Sequence, residues 1–328
     1  MILKPFESYP MTAAITALTK RLHPSHEMYS KLLAELNRQE AGEHGEQHVF
    51  SLLEASQLPE QTYLLHNVGL KSKVETQIDI LVLSPWWCLI LEVKNIKGRL
   101  YFNDNPRQLI RKGDDGGKDE ILGSPEIQVE QYTFGLKSFL ESHGVKLPIY
   151  GAIHFPFNNA IIEKPPEKIL LLIGREVVRF IWSLPRSSGV NVDSRKLGEL
   201  LMKSLYVRDP FPLCNYYKIS PSMISSGVEC PHCGTIPMQR ALRTWKCPKC
   251  GKTSMDAHRK ALADYSMLIN KQISNSECVS YLRLKNHQQA HRILAKCSSS
   301  RTGKSRNSVY HLSYNSLLMG ESSPRGTK

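Results

Sequence analysis

Two carboxylates and a lysine interrupt an otherwise apolar pair of strands. From Ile78 to Leu83, just after Gln77, the chain is aliphatic except for Asp79; after a Ser84-Pro85 turn, Trp87 to Val93 is apolar except for Glu92, and Lys94 follows. Short β-branched and aliphatic runs joined across a proline turn predict two strands in the middle of a sheet. Period-2 geometry puts Cys88, Ile90, Glu92 and Lys94 on one face and Leu89, Leu91 and Val93 on the other. Glu92 and Lys94 then point the same way, roughly 7 Å apart along the strand. In a hairpin pairing Asp79 can face that side too. Carboxylate oxygens are hard ligands suited to Mg²⁺ or Mn²⁺. Burying two of them and an ammonium without use is costly.

A second set of residues is chemically soft. Cys230-Pro231-His232-Cys233-Gly234 and Cys247-Pro248-Lys249-Cys250-Gly251 are two C-x-x-C knuckles, each ending in glycine. Thiolates at this spacing can surround one Zn²⁺ tetrahedrally, and the glycines free backbone N–H groups to bond sulfur. Four cysteines leave no open position, so Cys230, Cys233, Cys247 and Cys250 predict a structural zinc ribbon. His232 lies inside a knuckle and stays out of the ligand set; a redox dithiol pair is the competing reading.

The elements that must position these groups follow in order. Residues 1–39 read as an N-terminal extension, with a helix from His26 to Arg38. A second helix from Gly42 to Ala55 carries Val49, Phe50, Leu52 and Leu53 inside, and Glu46 shares its buried edge. Strands follow at Tyr63–Val68, in the two charged segments and at Arg99–Phe102. Asn103 to Ser124 is loop-like, with room for a β-excursion. Pro125 opens a helix to His143 that carries Gln128 beside its apolar stripe. Ile149–Phe155 and Lys168–Ile173 predict strands, Arg175–Leu184 and Ser194–Tyr206 closing helices, and Pro210 to Gly227 a linker.

Asp79, Glu92-x-Lys94, an early Gly42-x-x-Gly45-Glu46, Glu92-Val93-Lys94-Asn95 with Gly98, and Pro125-x-x-Gln128 occur in one order. That ordered set resembles the NERD (nuclease-related domain) branch of the restriction-endonuclease-like, PD-(D/E)xK superfamily, over about residues 40 to 145. The proline-aspartate dipeptide of the wider superfamily is replaced by Ile78-Asp79. The resemblance implies an α/β fold with an αβββαβ core and a metal-dependent nuclease. Its site would comprise Glu46, Asp79, Glu92, Lys94 and Gln128, with Glu46, Asp79 and Glu92 on the metal.

Behind the ribbon, helix, turn and basic amphipathic helix resemble a helix-turn-helix or winged helix. Ala290, Ile293 and Leu294 form the apolar stripe, and Arg301 to Arg306 would be the wing. Residues 1–210 hold 25 Lys and Arg against 25 Asp and Glu, while residues 211–328 hold 18 against 5, so the whole excess of +13 lies in the last third. That asymmetry implies a polyanion partner, most simply DNA, with RNA open. Gln288 and Gln289 are the expected base readers, and Arg292, Lys296, Arg301, Lys304 and Arg306 the expected phosphate contacts.

The expected organisation is an extension over 1–39, a nuclease-like domain over 40–208, the ribbon over 228–252, the winged-helix-like module over 253–314 and a flexible tail over 315–328. The composition is that of a soluble chain, 41% hydrophobic and 22% charged. No run approaches the roughly 20 apolar residues that span a bilayer, and no signal peptide is evident, so the cytoplasm is the expected compartment. The leading expectation is a nuclease on DNA. A non-catalytic DNA-binding protein on the same scaffold and an RNA-processing enzyme are the alternatives.

Overall fold

The computed structural model describes residues 1–113, 117–186, 191–304 and 307–318. The chain forms two compact units, one of Met1–Ser8 with Arg38–Arg208, the other of Tyr9–Asn37 with Asp209–Lys328. Up to the middle of the first unit the elements are β1 (Ile2–Lys4), α1 (Pro10–Arg21), α2 (Tyr29–Ala55), β2 (Tyr63–Lys71), β3 (Glu75–Leu83), β4 (Cys88–Val93), β5 (Gly98–Asp104), β6 (Arg107–Arg111) and β7 (Glu120–Leu122). Then come α3 (Pro125–Ser142), β8 (Ile149–Phe155), β9 (Ala160–Lys164), β10 (Leu170–Ile173), α4 (Glu176–Ser183) and α5 (Ser194–Lys203). The remainder is α6 (Leu213–Tyr216), β11 (Gln239–Arg240), β12 (Trp245–Lys246), β13 (Thr253–Ser254), α7 (Ala257–Leu268), β14 (Gln272–Ser274), α8 (Asn275–Leu282), α9 (His287–Cys297), β15 (Ser300–Thr302), β16 (Val309–His311) and α10 (Tyr314–Leu318).

The first unit is built on a six-stranded sheet in the order β1-β2-β3-β4-β8-β10. β2, β3 and β4 are antiparallel neighbours, and β8 joins β4 in parallel. Every residue of β4 is buried, as a strand with apolar layers on both faces requires. On one face Ile80, Val82, Leu89 and Leu91 pack with Val49, Phe50 and Leu53 of α2. On the other, Leu81, Leu83, Cys88 and Ile90 pack with Leu136, Phe139 and Leu140 of α3. Each such side chain contributes roughly 1.5–3 kcal/mol of transfer free energy, which offsets the cost of holding charges at one end of the sheet. Ser124 caps α3, its Oγ accepting from Ile127 N at 3.4 Å, with Pro125 in the first turn.

Four expectations from the sequence need correction here. The two early helices are one, α2, because Gly42 and Gly45 lie within a helix rather than at its end. Gly45 serves close approach: a Cβ there would sit 2.8 Å from Asn95 Cβ, just past β4. The stretch after β5 holds the β-excursion allowed for, β6 and β7, in a second sheet ordered β7-β6-β5-β9; what needs correcting is β9, which was not assigned as a strand in the sequence. The supposed linker after Pro210 buries Phe211, Leu213, Cys214, Ile219 and Ile224 with α1 residues of the same unit, so it is core. The tail expected from residue 315 begins inside α10, where Leu317 is buried; residues 319–328 lie outside the described ones.

In the second unit, β11, β12 and β13 form the antiparallel ribbon sheet. Behind it run α7, β14, α8, α9, β15 and β16, with the strands in the order β14-β16-β15. This is a winged-helix-like arrangement. Its α8 starts with a capping box: Ser274 Oγ accepts from Glu277 N at 3.2 Å, and Glu277 Oε2 accepts from Ser274 N at 2.7 Å. The cap is therefore Ser274. Arg283, with φ 54°, turns the chain from α8 into α9. Among the described residues no helix is long and apolar enough to cross a membrane.

Candidate active site

The regular pairing of β3 with β4 runs from Leu83↔Cys88 to Ile80↔Leu91 and stops there. One residue further, the Asp79 side chain replaces the ladder, its Oδ2 accepting from Val93 N at 2.8 Å. β4 stays bound on its other side, pairing with β8 as far as Val93↔His154, and Lys94 N donates to His154 O at 2.9 Å. The sheet thus opens where the charged residues stand. Lys94 Nζ donates to Glu92 Oε1 at 2.6 Å. Glu92 is 2% exposed, and its other oxygen, Oε2, is buried without a hydrogen-bond partner. Glu46 of α2 is also buried, with Oε2 2.9 Å from His66 Nε2 of β2. Asn95 Nδ2 donates to Ala41 O at 2.8 Å, tying the end of β4 to α2.

Electrostatics binds these groups into one cluster. Burial raises the Asp79 carboxyl well above its usual range, and the charges of Glu92 and Glu46 push it further. Glu92 is raised by burial and by Glu46, which together outweigh Lys94. For Lys94, burial alone would lower the ammonium, but Glu92, Asp79 and Glu46 hold it above the ordinary lysine value. Gln128 of α3 hydrogen-bonds the phenol of Tyr132, which burial and the charges of Glu92 and Asp79 drive upward. The structure therefore brings together Glu46, Asp79, Glu92 and Lys94, with Gln128 reaching the cluster through Tyr132.

Residues 41–156 match the family model of the nuclease-related domain. The chain carries a nuclease-related domain. The match covers about a third of the chain and spans α2 from Ala41 to the end of β8. No curated protein and no solved structure matches the chain.

The carboxylates of the nuclease-related domain fit a hard divalent cation on one observation, the buried oxygen of Glu92 that lacks a donor. Mg²⁺ commonly takes one or two carboxylates and keeps several waters. A loose set therefore suffices, and the set is loose: among the described residues, only the four cysteines bring three or more ligand atoms of His, Cys, Asp or Glu within 4.8 Å of one another.

Those cysteines form the second centre. Cys230 Sγ lies 3.7 Å from Cys250 Sγ, and Cys233 Sγ 3.5 Å from Cys247 Sγ. A tetrahedron with Zn–S bonds of about 2.3 Å has sulfurs roughly 3.8 Å apart, so the set fits zinc. Gly234 and Gly251, with φ of 70° and 72°, close the two knuckles by donating to Cys230 O and Cys247 O at 2.9 and 3.0 Å. His232 is exposed and outside the group.

On the winged-helix-like module, Gln288, Arg292 and Lys296 of α9 are exposed, as is Lys304. Arg301 of β15 is exposed but anchored, donating from Nη2 to Ser308 Oγ at 2.6 Å. Gln289 is half-buried and closes the start of α9, its Oε1 accepting from Lys285 N at 3.3 Å. Arg306 lies outside the described residues.

Two neighbours of the cluster, Tyr132 and His66, are not among the residues the sequence predicts for it. Tyr132 is half-buried against the core on that face of the sheet. His66 sits in the apolar strand Tyr63–Lys71 as a polar exception, the same signal that exposed Asp79.

Proposed function

We propose that the protein is a divalent-metal-dependent nuclease that hydrolyses phosphodiester bonds of DNA. The observation that carries this reading is the buried cluster of Glu46, Asp79 and Glu92 beside Lys94, one oxygen of Glu92 being left without a donor. Such an arrangement is unfavourable by itself and favourable around a cation. Asp79 and Glu92 would hold Mg²⁺ or Mn²⁺, with Glu46 completing the site or holding a second ion through water. Bound there, the ion supplies a Lewis acid for the phosphate and lowers the pKa of the attacking water. Lys94 supplies positive charge for the phosphate as negative charge develops. Gln128, with Tyr132, positions water or phosphate oxygen.

The zinc centre keeps a structural role, because four thiolates leave no open position. The basic second unit supplies affinity for the phosphate backbone, and Gln288 is the side chain left to read bases in a major groove. No disulfide joins any of the eight cysteines, and Cys88, Cys214, Cys278 and Cys297 are buried; that suits a reducing compartment such as the cytoplasm. The test is cleavage of labelled single- and double-stranded DNA and RNA with Mg²⁺, Mn²⁺ or neither. DNA cleavage that needs the metal and falls by roughly 10²–10³-fold in Asp79→Asn and Glu92→Gln is expected. Full activity of both variants on every substrate cleaved would contradict the assignment.

A further inference from the structure

We infer that His66 is a positioning residue for Glu46, with its tautomer set by the N-terminal segment of the chain. The inference rests on the metal-site reading above and extends it to a stretch, Met1–Ser8, outside the matched residues 41–156. His66 is 0% exposed and stands beside Phe6, ring centroids 4.5 Å apart, with the edge of Phe50 at 6.1 Å. The ring is therefore fixed by packing as well as by its hydrogen bonds.

Those bonds decide where the proton is. His66 Nδ1 accepts from the backbone N–H of Glu7 at 3.4 Å. A backbone amide can only donate, so Nδ1 must present its lone pair, and the neutral ring carries its hydrogen on Nε2. Nε2 is the atom 2.9 Å from Glu46 Oε2. The imidazole thus donates to one carboxylate oxygen and fixes the plane of the group. The segment that supplies the Glu7 amide is itself secured to β2. Ile2 and Lys4 pair in parallel with Leu64 and Leu65, and Lys4 Nζ donates to the carbonyls of His66 and Asn67 at 2.7 and 3.0 Å. Glu7 N–H, His66 and Glu46 make a relay whose first member is remote in sequence from the domain it serves. Partners of this kind orient metal-binding side chains, and losing one typically weakens metal affinity by about 10–100-fold.

The test measures Mn²⁺ affinity by electron paramagnetic resonance on full-length, zinc-loaded protein. The variants are His66→Leu, His66→Asn and His66→Gln, with folding followed by circular dichroism. A glutamine amide can place its nitrogen where Nε2 lies, whereas an asparagine amide places it near Nδ1. His66→Gln is expected to bind within a few-fold of wild type, and His66→Asn and His66→Leu to bind about 10–100-fold more weakly. If His66→Leu fails to fold, the glutamine and asparagine variants decide, and equal affinities in those two overturn the inference. Selective ¹⁵N-histidine spectra should show His66 as the Nε2–H tautomer; an Nδ1–H ring overturns it without reference to any metal. A wild-type protein with no Mn²⁺ site sensitive to Glu92→Gln would overturn the metal-site reading and this inference together, whereas wild-type affinity in His66→Leu overturns the inference alone.

Discussion

Each of the two units buries a cluster of ionised side chains, and the clusters are built on opposite principles. In the second unit Arg21, 1% exposed, donates from Nε and Nη2 to Asp264 Oδ2 at 3.1 and 2.8 Å and from Nη1 to Ser225 O and Gly227 O at 3.0 Å. Lys260 reaches Asp264 at 3.3 Å and Glu229 at 2.6 Å, and Lys20 reaches Glu229 at 2.7 Å. Two carboxylates meet three cations. Burial would raise the Glu229 carboxyl, but Lys20 and Lys260 hold it below its usual range. In the nuclease-related domain Asp79 and Glu92 share Lys94, Glu46 stands beside His66, and the Asp79 and Glu92 carboxyls are raised. A saturated cluster locks elements of one unit together; an undersupplied one is poised to accept positive charge. Raised carboxyls of this kind are what a functional site would need, and the function proposed above rests on them.

The comparison can be strained in several ways, the largest effect coming from metal removal. Stripping zinc should unfold the ribbon around Cys230, Cys233, Cys247 and Cys250, since structural zinc contributes roughly 10 kcal/mol or more to folding. Withholding Mg²⁺ should leave the nuclease-related domain folded. Metal analysis with hydrogen exchange resolved by segment checks both. Next, Asp79→Asn and Glu92→Gln should each slow cleavage by roughly 10²–10³-fold without lowering the melting temperature, because each removes a like charge from a crowded cluster. Asp264→Asn should do the reverse. It leaves Arg21 short of its counter-ion and should destabilise the second unit by about 3–5 kcal/mol, read from denaturant unfolding, with the chemistry at Asp79 and Glu92 intact in conditions where the protein stays folded.

Acid should separate the units more gently. His154 in the first unit and His258 in the second are both held down to about 4, chiefly by burial. A histidine depressed in the folded state contributes stability that is full above its unfolded value near 6.5 and is lost as pH falls toward 4. Both units lose this contribution. Asp79 and Glu92, being raised, regain stability as they protonate, whereas Glu229, being lowered, adds to the loss as pH falls through the carboxylate range. The second unit should therefore open first on acidification, as hydrogen exchange by segment would report; earlier opening of the first unit would contradict the electrostatic contrast. The smallest effect belongs to single surface cations. Arg292→Ala or Lys296→Ala should reduce the salt dependence of DNA binding by about one contact, roughly 0.9 in the log–log slope, measured by anisotropy.

Much of this was legible in the sequence because local patterning carried it. Asp79, Glu92 and Lys94 are exceptions in apolar runs, the cysteines have ligand spacing, and α9 shows its stripe at Ala290, Ile293 and Leu294. What stayed hidden depends on contacts between remote segments. The residues after Pro210 read as a linker because the partners of Leu213 and Ile219, such as Ile15 and Leu18, come almost two hundred residues earlier. Strand β9 alternates weakly and is explained by its pairing with β5. The glycines of α2 resemble breakers until the approach of Asn95 to Gly45 is seen. His66 could have been found, since it breaks an apolar strand as Asp79 does, yet its partner Glu46 lies on a different element.

The central claim is that the carboxylates at Asp79 and Glu92 are short of positive charge and complete themselves with a divalent cation. The most direct measurement is the thermal unfolding of zinc-loaded wild type and Asp79→Asn in metal-free buffer, each with and without Mn²⁺. The account predicts that Mn²⁺ raises the wild-type transition, and that the variant starts at or above the metal-free wild type and responds little. An equal response of both proteins to Mn²⁺, or a metal-free variant less stable than wild type, would contradict it.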